Sequence, residues 1–141
     1  MRFVNHILPL ENDTITIPMD QPCPCNVGLV EISLSNCNEK GVMSNAIDIS
    51  CEQIDSTVDN PTRILRRLAL NRCVPNEYYQ TWVARHIQME KIDSSDKFLT
   101  LKIRRTKTGE ALKFQKYNDT NVHITLAFSE ATDSQMWTTY I

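Results

Sequence analysis

Glycine is scarce in this chain, with only Gly28, Gly41 and Gly109 among 141 residues. β-rich chains commonly use glycine where a turn needs positive φ, so asparagine, aspartate, serine and proline must supply most of the turns here. Isolated glycines also exclude a phosphate-cradling loop, and no serine sits in a glycine-flanked nucleophile elbow. Long apolar runs are missing too. Nothing approaches the ~20 residues needed to cross a bilayer. Met1 to Leu10 lacks the continuous apolar core and small-residue cleavage site of a secretion signal. The expectation is a chain made and folded in a reducing compartment of the cell, not secreted and not bound to a membrane.

There is no excess of charge of one sign. Fifteen basic residues against seventeen acidic ones leave a net charge of −2, which excludes a chain built mainly to neutralise nucleic-acid phosphates. The five cysteines, Cys23, Cys25, Cys37, Cys51 and Cys73, are odd in number and cannot all pair within one chain. Cys23-Pro24-Cys25 has one intervening residue, where zinc sites usually have two to four, so small buried or loop thiols are expected rather than a metal centre. His6, His86 and His123 are far apart along the chain and give no ligand spacing. Cys51 or Cys73 would need His86 beside it to act as a nucleophile, and a lone strand cysteine is more often packing. No enzyme, cofactor or metal is expected.

What the chain does contain is strand periodicity. Between Phe98 and Phe128, Leu99, Leu101 and Ile103 alternate with polar residues, as do Val122, Ile124, Leu126 and Phe128, with Ala111, Leu112 and Phe114 between them. The gaps at Thr108-Gly109 and Asn118-Asp119 look like tight turns, so this stretch predicts a three-stranded antiparallel meander. Upstream, Thr14 to Ile17 alternates and is stopped by Pro18, as an edge strand would be. Val27 to Ser35 carries Val30, Ile32 and Leu34 on one side and Val27, Leu29 and Glu31 on the other, with its start buried on both faces. Ile47, Ile49 and Cys51 alternate with Asp48, Ser50 and Glu52. Thr62 to Arg72 fits either a helix or a strand. Strand is preferred from its surroundings, with Ile64, Arg66, Leu68 and Leu70 on one side. Trp82 to Glu90 is expected as one strand with Val83, Arg85, Ile87 and Met89 inward.

Eight or nine short strands in one domain of residues 1–141, with a tail from about 129, predict an all-β antiparallel sandwich. A jelly roll, two Greek keys in about that many strands, is the natural candidate. The sheets are expected to bury Leu101, Ile103, Ile124, Leu126 and Phe128 against Val30, Ile32, Ile47 and Ile49. Two surface features stand out. Two basic clusters, Arg63, Arg66, Arg67 and Arg72 with Lys102, Arg104, Arg105 and Lys107, would form a basic face if their strands are neighbours, able to meet nucleic acid or an acidic protein. Otherwise these cations only solvate a strand edge. Met136, Trp137, Tyr140 and Ile141 make an apolar tail suited to docking on another subunit.

Several blocks resemble small β-rich proteins of Polinton/Maverick elements and adinto-like viruses. They are Ile7-Leu8-Pro9, Val27-Gly28-Leu29-Val30-Glu31-Ile32, Ile49-Ser50-Cys51-Glu52, Leu65-Arg66 and Tyr78-Tyr79. The closing hairpin adds Leu101-Lys102-Ile103-Arg104, Gly109, Phe114 and Thr125-Leu126-Ala127-Phe128. The chain differs in having Cys25-Asn26 where a tryptophan would precede the Val27 block, and in its tail after Phe128. The resemblance implies a virion structural protein without catalytic residues. A jelly-roll minor capsid or vertex subunit would assemble as a trimer or pentamer with other capsid proteins, inside the host cytoplasm or nucleus. The alternative from the residues alone is a monomeric binding module that uses the basic face.

Overall fold

A computed structural model describes residues 1–9, 14–19, 21–35, 46–68, 74–75, 79–109, 121–132 and 136–138. Twelve strands and no helix occur among the described residues. In chain order they are β1 (Arg2–Pro9), β2 (Thr14–Pro18), β3 (Cys25–Ser35), β4 (Ile47–Cys51), β5 (Ile64–Leu68), β6 (Val74–Pro75), β7 (Tyr79–Val83), β8 (His86–Gln88), β9 (Glu90–Ile92), β10 (Phe98–Arg105), β11 (Asn121–Glu130) and β12 (Met136–Thr138). One sheet runs β1-β11-β3-β7-β6, with β9 also on β3, and the second runs β2-β10-β4-β5. All ladders are antiparallel, and the chain is an all-β sandwich.

The long-range pairings are nested. β1 lies beside β11, β2 beside β10, β3 beside β7, and β4 beside β5. The chain thus behaves as one long hairpin doubled back on itself and wrapped so that alternate pairs fall in opposite sheets. β2 is an edge strand, as Pro18 requires. The core between the sheets holds Ile15, Ile17, Val27, Leu29, Ile32, Ile47, Ile49, Leu65, Leu68, Leu99, Leu101, Ile103, Val122, Ile124, Leu126 and Phe128, all at most 2% exposed.

Four expectations need correction. The Phe98–Phe128 meander does not form, because β10 and β11 lie in opposite sheets. β11 is flanked on both edges by β1 and β3, which leaves no place for a middle strand, and residues 110–120 lie outside the described set. Val30 does not face the core. Thr125 pairs Glu31 but Leu126 pairs Leu29, so Val30 is the extra residue of a β-bulge. Before the bulge Val27 and Leu29 point inward; after it Ile32 does. Val30 packs instead with Ile87, Met89 and Ala127 on the outer face of the larger sheet.

Trp82 to Glu90 is not one strand. β7 ends at Val83, the amide of Ala84 donates to the carbonyl of Val30 (2.8 Å), and β8 starts afresh at His86. The inward pair is Trp82 and Ala84, and Val83 is 40% exposed. The β8 segment crosses the outer face over Gly28, where Ile87, Gln88 and Met89 lie against it, and β9 then joins the sheet beside Cys25–Val27 of β3. Finally, the strand preferred over Thr62–Arg72 is present as β5, but Leu65 and Leu68 face the core. Ser50 pairs Ile64 while Ile49 pairs Arg66, so Leu65 is a second bulge residue. Leu70 and Arg72 lie outside the described residues.

β11 also runs on through Ser129 and Glu130, because β3 offers Asn26 and Cys25 as partners there. Beyond it, β12 pairs with β8, Trp137 opposite Ile87.

Candidate functional site: a basic groove on the smaller sheet

On strands β10 and β4 the inward residues are Leu101, Ile103, Ile47, Ile49 and Cys51, so Lys102, Arg104, Asp48 and Ser50 stand on the outer face. The ladder sets Arg67, Asp48 and Arg104 in one row across β5, β4 and β10, and Ser50 beside Lys102 in the next. The bulge at Leu65 decides the fate of the two adjacent arginines. Arg67 pairs with outward Asp48, whereas Arg66 pairs with inward Ile49 and reaches the opposite sheet, its guanidinium 5.2 Å from the centroid of the Trp82 ring. Arg66 therefore leaves the basic face and closes one side of the sandwich.

The walls are two pinned connections. In the loop after β4, Gln53 Oε1 accepts from the Thr100 amide (2.7 Å) and Gln53 Nε2 donates to Asp96 (3.0 Å). Asn60 Oδ1 accepts from the Ile64 amide and its Nδ2 donates to the Ile64 carbonyl, both at 2.8 Å. Between them Arg63 takes φ +57° while its carbonyl accepts from the Cys51 amide (2.9 Å). That positive φ aims the chain back toward β4 and sets Arg63 on the groove wall. Opposite, the turn after β10 closes through the Gly109 amide to the Arg105 carbonyl (2.8 Å), with Gly109 at φ +70°.

The result is a groove of about 560 Å³, lined among others by Asp48, Glu52, Arg63, Arg67, Lys102, Arg104 and Arg105. Among the described residues of the lining, five cations against two carboxylates give a formal net charge of +3. Asp48 is the organising group. It accepts both nitrogens of a guanidinium fork from Arg67 (2.7 and 3.2 Å) and the Thr106 hydroxyl (2.8 Å). Hydrogen bonding to Asp48 raises the pKa of Arg67 above its usual value. Glu52 sits 3.0 Å from Lys102. Arg63 and Arg104 have no side-chain hydrogen bond or ion pair among the described residues.

Of the eight residues expected to make a basic face, Arg63, Arg67, Lys102, Arg104 and Arg105 line one groove. Arg66 faces away, Lys107 is exposed on the turn beyond it, and Arg72 lies outside the described residues. Asp48 and Glu52 complete the site. The polar positions alternating with Ile47, Ile49 and Cys51 were the signal for the carboxylates. Of the expected tail interface, the backbones of Met136 and Trp137 lie in β12, and Tyr140 and Ile141 fall outside the described residues.

Two thiols are tuned by burial. Desolvation, then the neighbouring Cys23, pushes Cys25 up to about 12, and desolvation pushes Cys51 up to about 11. Both are proton-bearing packing residues at neutral pH, with Cys51 Sγ 3.6 Å from Gln53 Oε1. Among the described residues no three of His, Cys, Asp and Glu converge as metal ligands would.

Comparison with protein families, with curated proteins and with solved structures found no match to this chain.

Proposed function

We propose that this chain is a self-assembling structural subunit of the jelly-roll type, a minor capsid or vertex protein of a virus or virus-derived element. The observation that carries the reading is the nested strand order, with β1-β11-β3-β7 facing β2-β10-β4-β5. Eight strands paired first to last, second to penultimate and so inward support a reading as two interlocked Greek keys, an arrangement that viral capsid domains use. Fold alone does not carry function, so the surface matters. β1 is an eight-residue edge strand, and Phe3 and Ile7 on its outer side are 53% and 67% exposed. Soluble monomers blunt such edges with charge, proline or a covering element; an apolar edge is suited to a neighbouring subunit.

In this reading the subunit forms a closed ring, a trimer or a pentamer, beside other capsid proteins in the virion. Light scattering behind a sizing column, over a range of protein concentrations, tests it. A discrete oligomer is expected. A strict monomer at the highest concentration reached would remove self-assembly. The groove favours a second reading, a binding module for an acidic partner, and a salt titration of binding separates the two, since oxoanion contacts weaken steeply with salt.

A further inference from the structure

We propose that the groove on the smaller sheet takes an acidic peptide segment, bound through its carboxylates by Arg63 and Arg104. The inference deepens the binding-module reading by naming the ligand, and it does not depend on self-assembly.

Charge provides the first reason. The described residues of the lining carry +3 in a chain of net −2, so all other residues together carry −5. A long polyanion such as duplex nucleic acid would meet that opposing field along its length, whereas a short acidic segment touches only the groove. The lining provides the second. Its described residues include no aromatic side chain, so among them nucleic-acid bases find no stacking platform. Asp48 and Glu52 also interrupt the cation rows, which disfavours a continuous phosphate track but leaves room for spaced carboxylates.

The division of labour among the cations is the third reason. Asp48 occupies Arg67, and Glu52 occupies Lys102, in ion pairs within the groove. Arg104 stands directly across from Asp48 on the neighbouring strand, with Arg63 on the opposite wall. Guanidinium groups match carboxylates with two parallel hydrogen bonds, which lysine cannot do. The hydroxyls of Ser50 and Thr62 supply neutral donors and acceptors between them.

The test is fluorescence anisotropy of the full chain with a labelled peptide of alternating aspartate and serine, beside labelled single-stranded and duplex oligonucleotides. The peptide is expected to bind more tightly than either oligonucleotide. Arg63 and Arg104 are exposed, so R63Q and R104Q leave the core untouched, and circular dichroism checks the fold. Each substitution is expected to weaken peptide binding about tenfold, while K91Q and K97Q, outside the groove, leave it unchanged. Tighter oligonucleotide binding that R104Q weakens would overturn the peptide assignment and keep the binding module. Binding of neither probe, or peptide binding indifferent to R63Q and R104Q, would overturn both.

Discussion

Replacing Gly28 by alanine tests the packing of the outer face of the larger sheet. A methyl group built at Gly28 would lie 2.6 Å from Met89 Sδ, 2.7 Å from Ile87 Cγ2 and 2.9 Å from the Gln88 carbonyl oxygen. Favourable contacts between carbon atoms lie near 3.5–4.0 Å, so the three are too close by roughly 0.6–0.9 Å or more. Met89 Sδ lies in a flexible side chain that can swing away, whereas Ile87 Cγ2 sits on a β-branched carbon that is stiff at χ1. The third is backbone in β8, which is held in turn by β12. The crossing segment must lift as a unit, and overpacking of this kind costs about 1–3 kcal/mol. For a chain of this size that lowers the melting temperature by roughly 3–10 °C. Urea unfolding followed by circular dichroism measures it. Gly109→Ala is the comparison, since nothing lies within 4 Å of its added methyl and only the left-handed φ of +70° penalises it, by about 1 kcal/mol. Combining Gly28→Ala with Met89→Ala should cost less than the sum of the two, because the shortened side chain makes room. A Gly28→Ala variant within about 0.5 kcal/mol of the parent, or strict additivity in the cycle, would refute the close crossing.

Phe3→Ser with Ile7→Ser should weaken self-association at least tenfold while leaving the unfolding transition in place, since both side chains are exposed in the subunit; sedimentation at several concentrations reads it. Stability should fall as pH rises from about 9 toward about 11. The unfolded Cys51 thiol ionises near its ordinary 9.0, whereas the folded one keeps its proton to about 11, so the folded state binds more protons across that window. The effect at the top of the window is roughly 2–3 kcal/mol; Cys25 acts in the same direction, and Cys51→Ala should flatten the decline in urea midpoint. An unchanged slope in that variant would assign the loss elsewhere. Arg66→Ala should cost about 0.5–1 kcal/mol through its contact with Trp82 and should not alter anion binding in the groove. Loss of peptide binding in this variant would return Arg66 to the basic face.

Alternation of apolar residues by itself determined much of this protein. Ile15 with Ile17, Ile47 with Ile49, Leu101 with Ile103, and Ile124 with Leu126 and Phe128 were legible as inward faces, because a strand that covers one core must repeat at every second residue. Pro18 marked β2 as an edge, because proline has no amide to give a further strand. The same alternation left Asp48, Ser50, Lys102 and Arg104 outward, which is the part of the groove on β4 and β10.

Only the tertiary structure decided which strands are neighbours. Period two names a face but not a partner, so β10 and β11 read as one meander although nested pairing sends them to opposite sheets. It also holds only until a bulge resets it. Val30 and Leu65 each add one residue where a partner strand has none, and every side chain beyond them changes sides. That is why Val30 left the core, and why Arg67 lines the groove while Arg66 lies against Trp82. A bulge is set by the fit between two strands distant in sequence, a condition that no local run of residues records.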